Sequence, residues 1–343
     1  MKIKIIYPFK NGPWGGANQF LKALKNEMVS LGVYTNEDNE AEVFLINSIN
    51  AFHDFIEVFK LKKKYPNAYF VHRVDGPVYL IRDKNLCIDK GIFKINDCLA
   101  DGTIFQTEWS KQNCINLGMK DNKPSATICN GSNEQIFFAK SDKPLHHPMK
   151  IIATSWSANA NKGFEYYKYL DENIDLARFN FTFVGNSPIL FKNGTTIPAQ
   201  ESEKLAELLR DSDIYITASR KDPCSNSLIE ALSCGLPAIV LNDGGHPYIV
   251  GKAGKTFENE PEMMEALEYV ANNYDELKEQ IPNYGIKNVA EQYVSFMETV
   301  CKSDNPVTKV KFFDYFILVI YKLTYNFEIL TETLKQTITR RVE

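Results

Sequence analysis

Two carboxylates with small polar residues between them mark the stretch best equipped for chemistry, Asp222 to Gly245, DPCSNSLIEALSCGLPAIVLNDGG. Asp222 is followed eight positions on by Glu230. Ser225 suits a helix N-cap, and Leu228, Ile229, Ala231 and Leu232 repeat at the spacing of a buried helix face, so a helix is expected to begin here. Its first turn leaves backbone N–H groups unpaired and carries about half a positive charge, so the amides near Asn226 and Ser227 form a site for a diphosphate. Glu230 faces the same cleft roughly 8–10 Å deeper, at ~1.5 Å of rise per residue. Acceptors that far apart suit hydroxyls at the two ends of a nucleotide sugar. Gly235 and Pro237 end the helix. Ala238 to Leu241 then reads as a short buried strand that brings Gly244-Gly245 to the same rim.

The ordered set Asp222, Glu230, Ala231, Gly235, Pro237, Gly244 and Gly245 resembles the donor-site signature of the retaining glycosyltransferases of family 4, the "glycosyl transferases group 1", which have the GT-B fold. Two acids at this spacing occur by chance in most proteins, and it is the ordered set that makes the resemblance specific. The family has Glu where this chain has Asp222, which shortens the reach by one methylene. The likeness covers roughly residues 1 to 300 and is strongest from 150 to 257.

That resemblance implies an α/β protein of two Rossmann-like doubly wound domains facing across a cleft, plus a C-terminal helical extension. It implies transfer of a sugar from a nucleotide-diphosphate sugar with retention of configuration, with no metal ion and no cofactor besides that donor. Lys162, in Lys162-Gly163, would lie on the donor phosphates. The family's preceding Gly-Arg is absent, for Ser155-Trp156-Ser157 stands there, and Arg220 or Lys221 would have to supply the second cation. Gly185 would lie near the base, and His72 falls where family members carry a His near the transferred sugar. The expected catalytic residues are thus Asp222, Lys162 and His72. The expected donor contacts are Gly15, Gly16, Lys162, Gly185, Arg220, Lys221, Asp222, Ser225, Asn226, Ser227 and Glu230. Taken alone, His72 is more often structural, the plain alternative for Lys162 is a surface lysine, and that for Gly15-Gly16 is a strand-to-helix turn. Two other readings stay open: a GT-B sugar-nucleotide-binding protein with little or no activity, and a sugar-nucleotide epimerase of the same architecture.

The elements that must hold these residues alternate strand and helix on either side of one linker, which argues for two domains with parallel sheets. Strands are expected at Lys2 to Tyr7, Val43 to Asn47, Tyr69 to Val71, Gly102 to Gln106 and Ser125 to Cys129. A second series runs from Lys150 to Thr154 through Phe181 to Val184, Ile214 to Thr217 and Ala238 to Leu241, and ends in short strands at His246 to Val250 and Gly254 to Phe257. Helices are expected at Phe20 to Leu31, about Phe52 to Lys64, and Glu201 to Arg210. The expected division is 1–140, an acceptor-side domain; 141–149, the linker; 150–285, the donor domain; 286–300, a crossover helix; and 301–343, a helical tail. His146 and His147 in the linker are expected to face solvent. No G-x-G-x-x-G is present, which disfavours NAD.

The chain has 343 residues, 44% of them apolar, which suffices for two cores, and a net charge of −4 that gives no reason to expect nucleic acid as a partner. Its seven scattered cysteines read as reduced thiols. The N-terminal apolar run is too short for a signal peptide, and the expected location is the cytoplasm. The partners implied are a nucleotide sugar and a glycan or lipid-linked acceptor of cell-surface polysaccharide synthesis. The tail has seven unbroken apolar residues, Tyr315 to Tyr321, against the ~20 that span a bilayer. With Lys309, Lys311, Lys322, Arg340 and Arg341 around them, its aromatics suit peripheral membrane contact through 309–341; packing on the protein itself or on a second subunit is the other reading.

Overall fold

The computed structural model describes residues 1–10, 16–82, 86–141, 143–303 and 307–342, with residues 332–342 described by backbone only. Contacts divide the chain into two compact units. The first takes Met1–Lys10, Lys25–Ile128 and Glu291–Glu343, and the second Asn11–Leu24 and Cys129–Ala290. The chain changes unit after Ile128, before the linker expected at 141–149.

In the first unit five parallel strands, β1 (Ile3–Ile6), β2 (Val43–Asn47), β3 (Tyr69–Val74), β4 (Gly102–Phe105) and β5 (Ser125–Thr127), lie in the order β1-β2-β3-β4-β5. Val43–Asn47 is buried at every position, as a parallel strand covered on both faces requires. One face carries Phe44, Ile46, Phe70 and Val74 against Phe52, Phe55, Ile88, Ile92 and Ile95 of the neighbouring helices. The helix expected from Phe52 to Lys64 is two, Ser48–His53 and Phe55–Lys64, parted at Asp54. Cys87–Leu99, which no expectation covered, is an amphipathic helix of 13 residues. The tail forms one long helix, Phe312–Val342, that lies on Cys87–Leu99. Lys94 Nζ and Asp314 Oδ1 are 2.6 Å apart across that contact.

The second unit holds six parallel strands: β6 (Met149–Ser155), β7 (Phe179–Gly185), β8 (Thr195–Ile197), β9 (Ile214–Thr217), β10 (Ala238–Leu241) and β11 (Gly254–Phe257). Their order is β11-β10-β9-β6-β7-β8. The chain therefore starts mid-sheet at β6, steps outward to β7 and β8, and returns to β9 on the other side of β6. Such a reversal leaves a crevice at the carboxyl ends of the two central strands, where open α/β sheets take their ligands. His246–Val250, expected as a strand, is a short helix. Pro247 in its first turn favours helical φ, and the helix buries His246, Ile249 and Val250.

Candidate active site

A cavity of about 440 Å³ opens at that reversal, entirely within the second unit. Thr154 to Ser157 wall it from the end of β6, Val184 and Gly185 from the end of β7, and Asp222 and Cys224 to Ser227 from the loop after β9. Gly16 and Gln19 enter from the helix Gly16–Ser30. Ala199 to Ser202 and Leu205 close the remaining side, and Glu230 lines the interior.

The helix begins where the sequence indicates. Asn226–Ser233 is capped by Ser225, whose hydroxyl accepts from the Leu228 N–H at 3.3 Å. Its first turn holds no acidic residue, so an incoming anion meets no fixed negative charge on the helix mouth itself. The Asn226 carboxamide oxygen accepts from Asn130 Nδ2 at 2.7 Å, which pins the mouth's first residue. A Cβ on Gly16 would come within 2.5 Å of the Asn226 side-chain Nδ2, so a larger residue here would displace that carboxamide. Ser225 Oγ lies 3.1 Å from Ser227 Oγ. The buried Tyr215 hydroxyl, 3.0 Å from Thr154 Oγ1, joins the same hydroxyl group through Ser227.

The charged residues are set by loops that brace one another. Lys162 ends a turn of 3-10 helix, Ala160–Lys162, capped by Asn159, whose carboxamide oxygen accepts from the Asn161 N–H at 2.8 Å. Its ammonium stands 3.5 Å from Asp222 Oδ2, so a cation and an acid of the site are paired with each other. The Asp222 backbone is clamped by the glycine pair. Gly245 N–H donates to the Asp222 carbonyl at 2.8 Å, while Gly244, at φ +65°, passes so close that a Cβ there would overlap the Asp222 backbone. These glycines thus hold the acid in place. Glu230 has no ion-pair partner among the described residues, and burial pushes its carboxyl up to about 8.

Eight of the expected residues come together here: Gly16, Lys162, Gly185, Asp222, Ser225, Asn226, Ser227 and Glu230. Gly15 lies outside the described residues. Arg220, expected as a second cation, does not line the cavity. It pairs with Glu165, in the first turn of the helix Phe164–Asn173, and its guanidinium sits 5.4 Å from the Tyr166 ring centre. Lys221 is not in the lining either; its backbone takes a left-handed turn at φ +54° on the way to Asp222. His72 belongs to the first unit and is wholly buried on β3. Its Nδ1 lies 3.2 Å from Asn96 Oδ1, and burial drives its pKa down to about 4, which leaves a neutral ring with no solvent access. His146 does not simply face solvent, for its ring is 3.0 Å from Asp213.

Sequence reasoning passed over Gln19, Thr154, Trp156, Gln200, Glu201, Ser202 and Leu205. Trp156 carried a usable signal, since a tryptophan 56% exposed on a loop directly after a strand is unusual without a ligand to cover it. Gln200 to Ser202 stand at the start of the helix Ser202–Arg210, after a loop whose path no local pattern reveals.

Residues 190–288, which include the acidic loop, the Asn226–Ser233 helix and the glycine clamp, match the family model described as "Glycosyl transferases group 1". That match covers 99 of the chain's 343 residues, so it shows a similarity to the group 1 glycosyl transferases over this segment. A "Probable sucrose-phosphate synthase" of Thermosipho melanesiensis is 29% identical over 92 residues, 25% of this chain. The match spans only 22% of that relative's length. Among solved structures, the sucrose-phosphate synthase of Thermosynechococcus elongatus aligns at TM-score 0.65 and 12% identity, over 87% of this chain and 98% of that one. Anabaena HepE in complex with UDP aligns at TM-score 0.64 and 12% identity, over 87% and 100%. At such identities the likeness is one of fold, and the fold is GT-B.

Proposed function

We propose that the second unit binds a nucleotide-diphosphate sugar and that the protein transfers its sugar, with retention, to a hydroxyl of a glycan or lipid-linked acceptor in cell-surface polysaccharide synthesis. The observation that carries this reading is the capped mouth of Asn226–Ser233 opening on a cavity that also holds Lys162, Asp222 and Glu230. The diphosphate takes the amides of Asn226 and Ser227 and draws Lys162 away from Asp222. Released from that pair, the Asp222 carboxylate accepts from the sugar, and Glu230 accepts from the ribose. Charge growing on the departing diphosphate is met by Lys162 and the helix mouth, so the step needs neither a metal ion nor a strong base. HepE was solved with UDP and with UDP-glucose, which makes UDP the first nucleotide to try.

Calorimetry with UDP, GDP and ADP tests the site, and single-turnover transfer from the matching sugar tests the activity. With Lys162→Ala, transfer is expected to slow roughly 10²–10³-fold, on ~3–4 kcal/mol per lost electrostatic contact. A variant within about tenfold of the parent would contradict the role given to Lys162. A transferase also releases nucleotide by slow hydrolysis without acceptor, whereas an epimerase converts the sugar and a binding protein does neither.

A further inference from the structure

The helix Phe312–Val342 has two apolar faces, and the protein covers one. Toward the first unit, Leu318 is fully buried, the Tyr315 ring lies 5.7 Å from those of Phe55 and Phe59, and the Tyr325 ring lies 6.0 Å from that of Phe52. On the other side Phe312, Phe316, Ile320, Leu323, Phe327 and Leu330 are 47% to 81% exposed. Their spacing is helical: at about 100° per residue the six fall within an arc of roughly 80°, with Leu318 on the far side. The stripe is roughly 27 Å long, and Asp314, Lys322 and Glu328 all project outside its arc. Exposed apolar surface on this scale marks a binding face.

One end of the stripe runs into an apolar hollow of about 590 Å³ walled by Ile56, Phe59, Phe312 and Tyr315. Its rim carries Lys60, Lys63, Lys309 and Lys311, all exposed, on a chain whose net charge is −4. We propose that this stripe seats the protein on an anionic lipid surface, with the helix lying in the headgroup plane and the lysines on lipid phosphates. Charge argues against a parallel second copy as the occupant, for it would set Lys309 and Lys311 beside their own copies, whereas that lysine rim suits an anionic surface. No helix among the described residues is long and apolar enough to cross a membrane, so the contact is one of lying on the surface. The proposal does not depend on the transfer activity.

Sedimentation with phosphatidylglycerol-rich and with pure phosphatidylcholine vesicles tests it on the full chain. The parent should bind the anionic vesicles at least ~10-fold more tightly, and lose that preference at high salt. Replacing Phe316→Ser, Leu323→Ser and Phe327→Ser together should weaken vesicle binding at least ~10-fold while the protein still melts cooperatively, since none of the three is in the core. Lys309→Glu with Lys311→Glu should abolish the preference for anionic lipid. A parent that stays in solution with both vesicle types overturns the proposal, whether or not the triple variant folds. So does a triple variant that binds vesicles as the parent does, or a parent dimer that the triple variant turns into a monomer.

Discussion

Replacing Glu230 with Gln should make this protein more stable and a poorer binder of nucleotide. The carboxyl lines the cavity interior without a cation beside it, and burial raises its pKa from 4.5 to about 8. An acid whose folded pKa is raised holds its stabilising proton only at low pH, and the folded state loses stability as pH climbs from the unfolded value to the folded one. At pH 7 that loss comes to roughly 3 kcal/mol, which partial access to solvent in the cavity cuts to about 1–3 kcal/mol. Gln keeps the shape and carries no charge, so urea melts should show the variant ahead by about that amount at pH 7. The advantage should shrink to under ~1 kcal/mol at pH 5 and level off above pH ~8. Nucleotide affinity should move the other way, falling roughly 10–100-fold with the loss of a charged acceptor for the ribose. Parent affinity should also rise as pH passes from 7 through 8, because the acceptor must first shed its proton. A stability gain equal at pH 5 and pH 8 would refute this account, since a carboxyl that ionises normally in the fold costs nothing that varies over that range.

Gly244→Val should cut transfer sharply, because the left-handed backbone adds ~1–2 kcal/mol of strain and the new side chain displaces Asp222; a crystal structure or single-turnover rates would show Asp222 unmoved if the clamp were idle. Ser225→Ala removes the cap and should cost about 1 kcal/mol of stability, and calorimetry should find UDP weakened more than uridine. His72→Gln should leave the pH dependence of transfer unchanged from pH 5 to 8. The buried imidazole, its pKa near 4, cannot take up a proton that the unfolded chain binds below about 6.5, so parent stability falls with acid across that interval. The variant should flatten that limb, and an imidazole resonance titrating near 6.5 in the folded parent would count against the burial described.

The helix Asn226–Ser233 was legible because its signals are local. Ser225 caps, the apolar positions repeat at helical spacing, and Gly235 takes the φ of +85° that a helix-ending glycine adopts. Val43–Asn47 and Ala238–Leu241 were equally plain, being short runs buried on both faces. His246–Val250 misled because Ile249 and Val250 favour strands by type, while Pro247 and burial against the second unit's core favour a helix. Arg220 misled for another reason: Glu165, its partner, lies far back along the chain, and no local pattern announces that pair.

The amino-acid order by itself determined where helices start and stop, which strands are buried, and which residue types stand beside the acidic loop, because each depends on neighbours within a few positions. Only the folded chain decided that β9 returns beside β6, and with it that Ser155, Gly185, Asp222 and Glu230 wall one cavity. It alone decided that Lys162 rests on Asp222, that Arg220 is engaged elsewhere, and that the Glu230 carboxyl is raised. Charge pairing and desolvation act through space, and those distances exist only once the crossovers have closed.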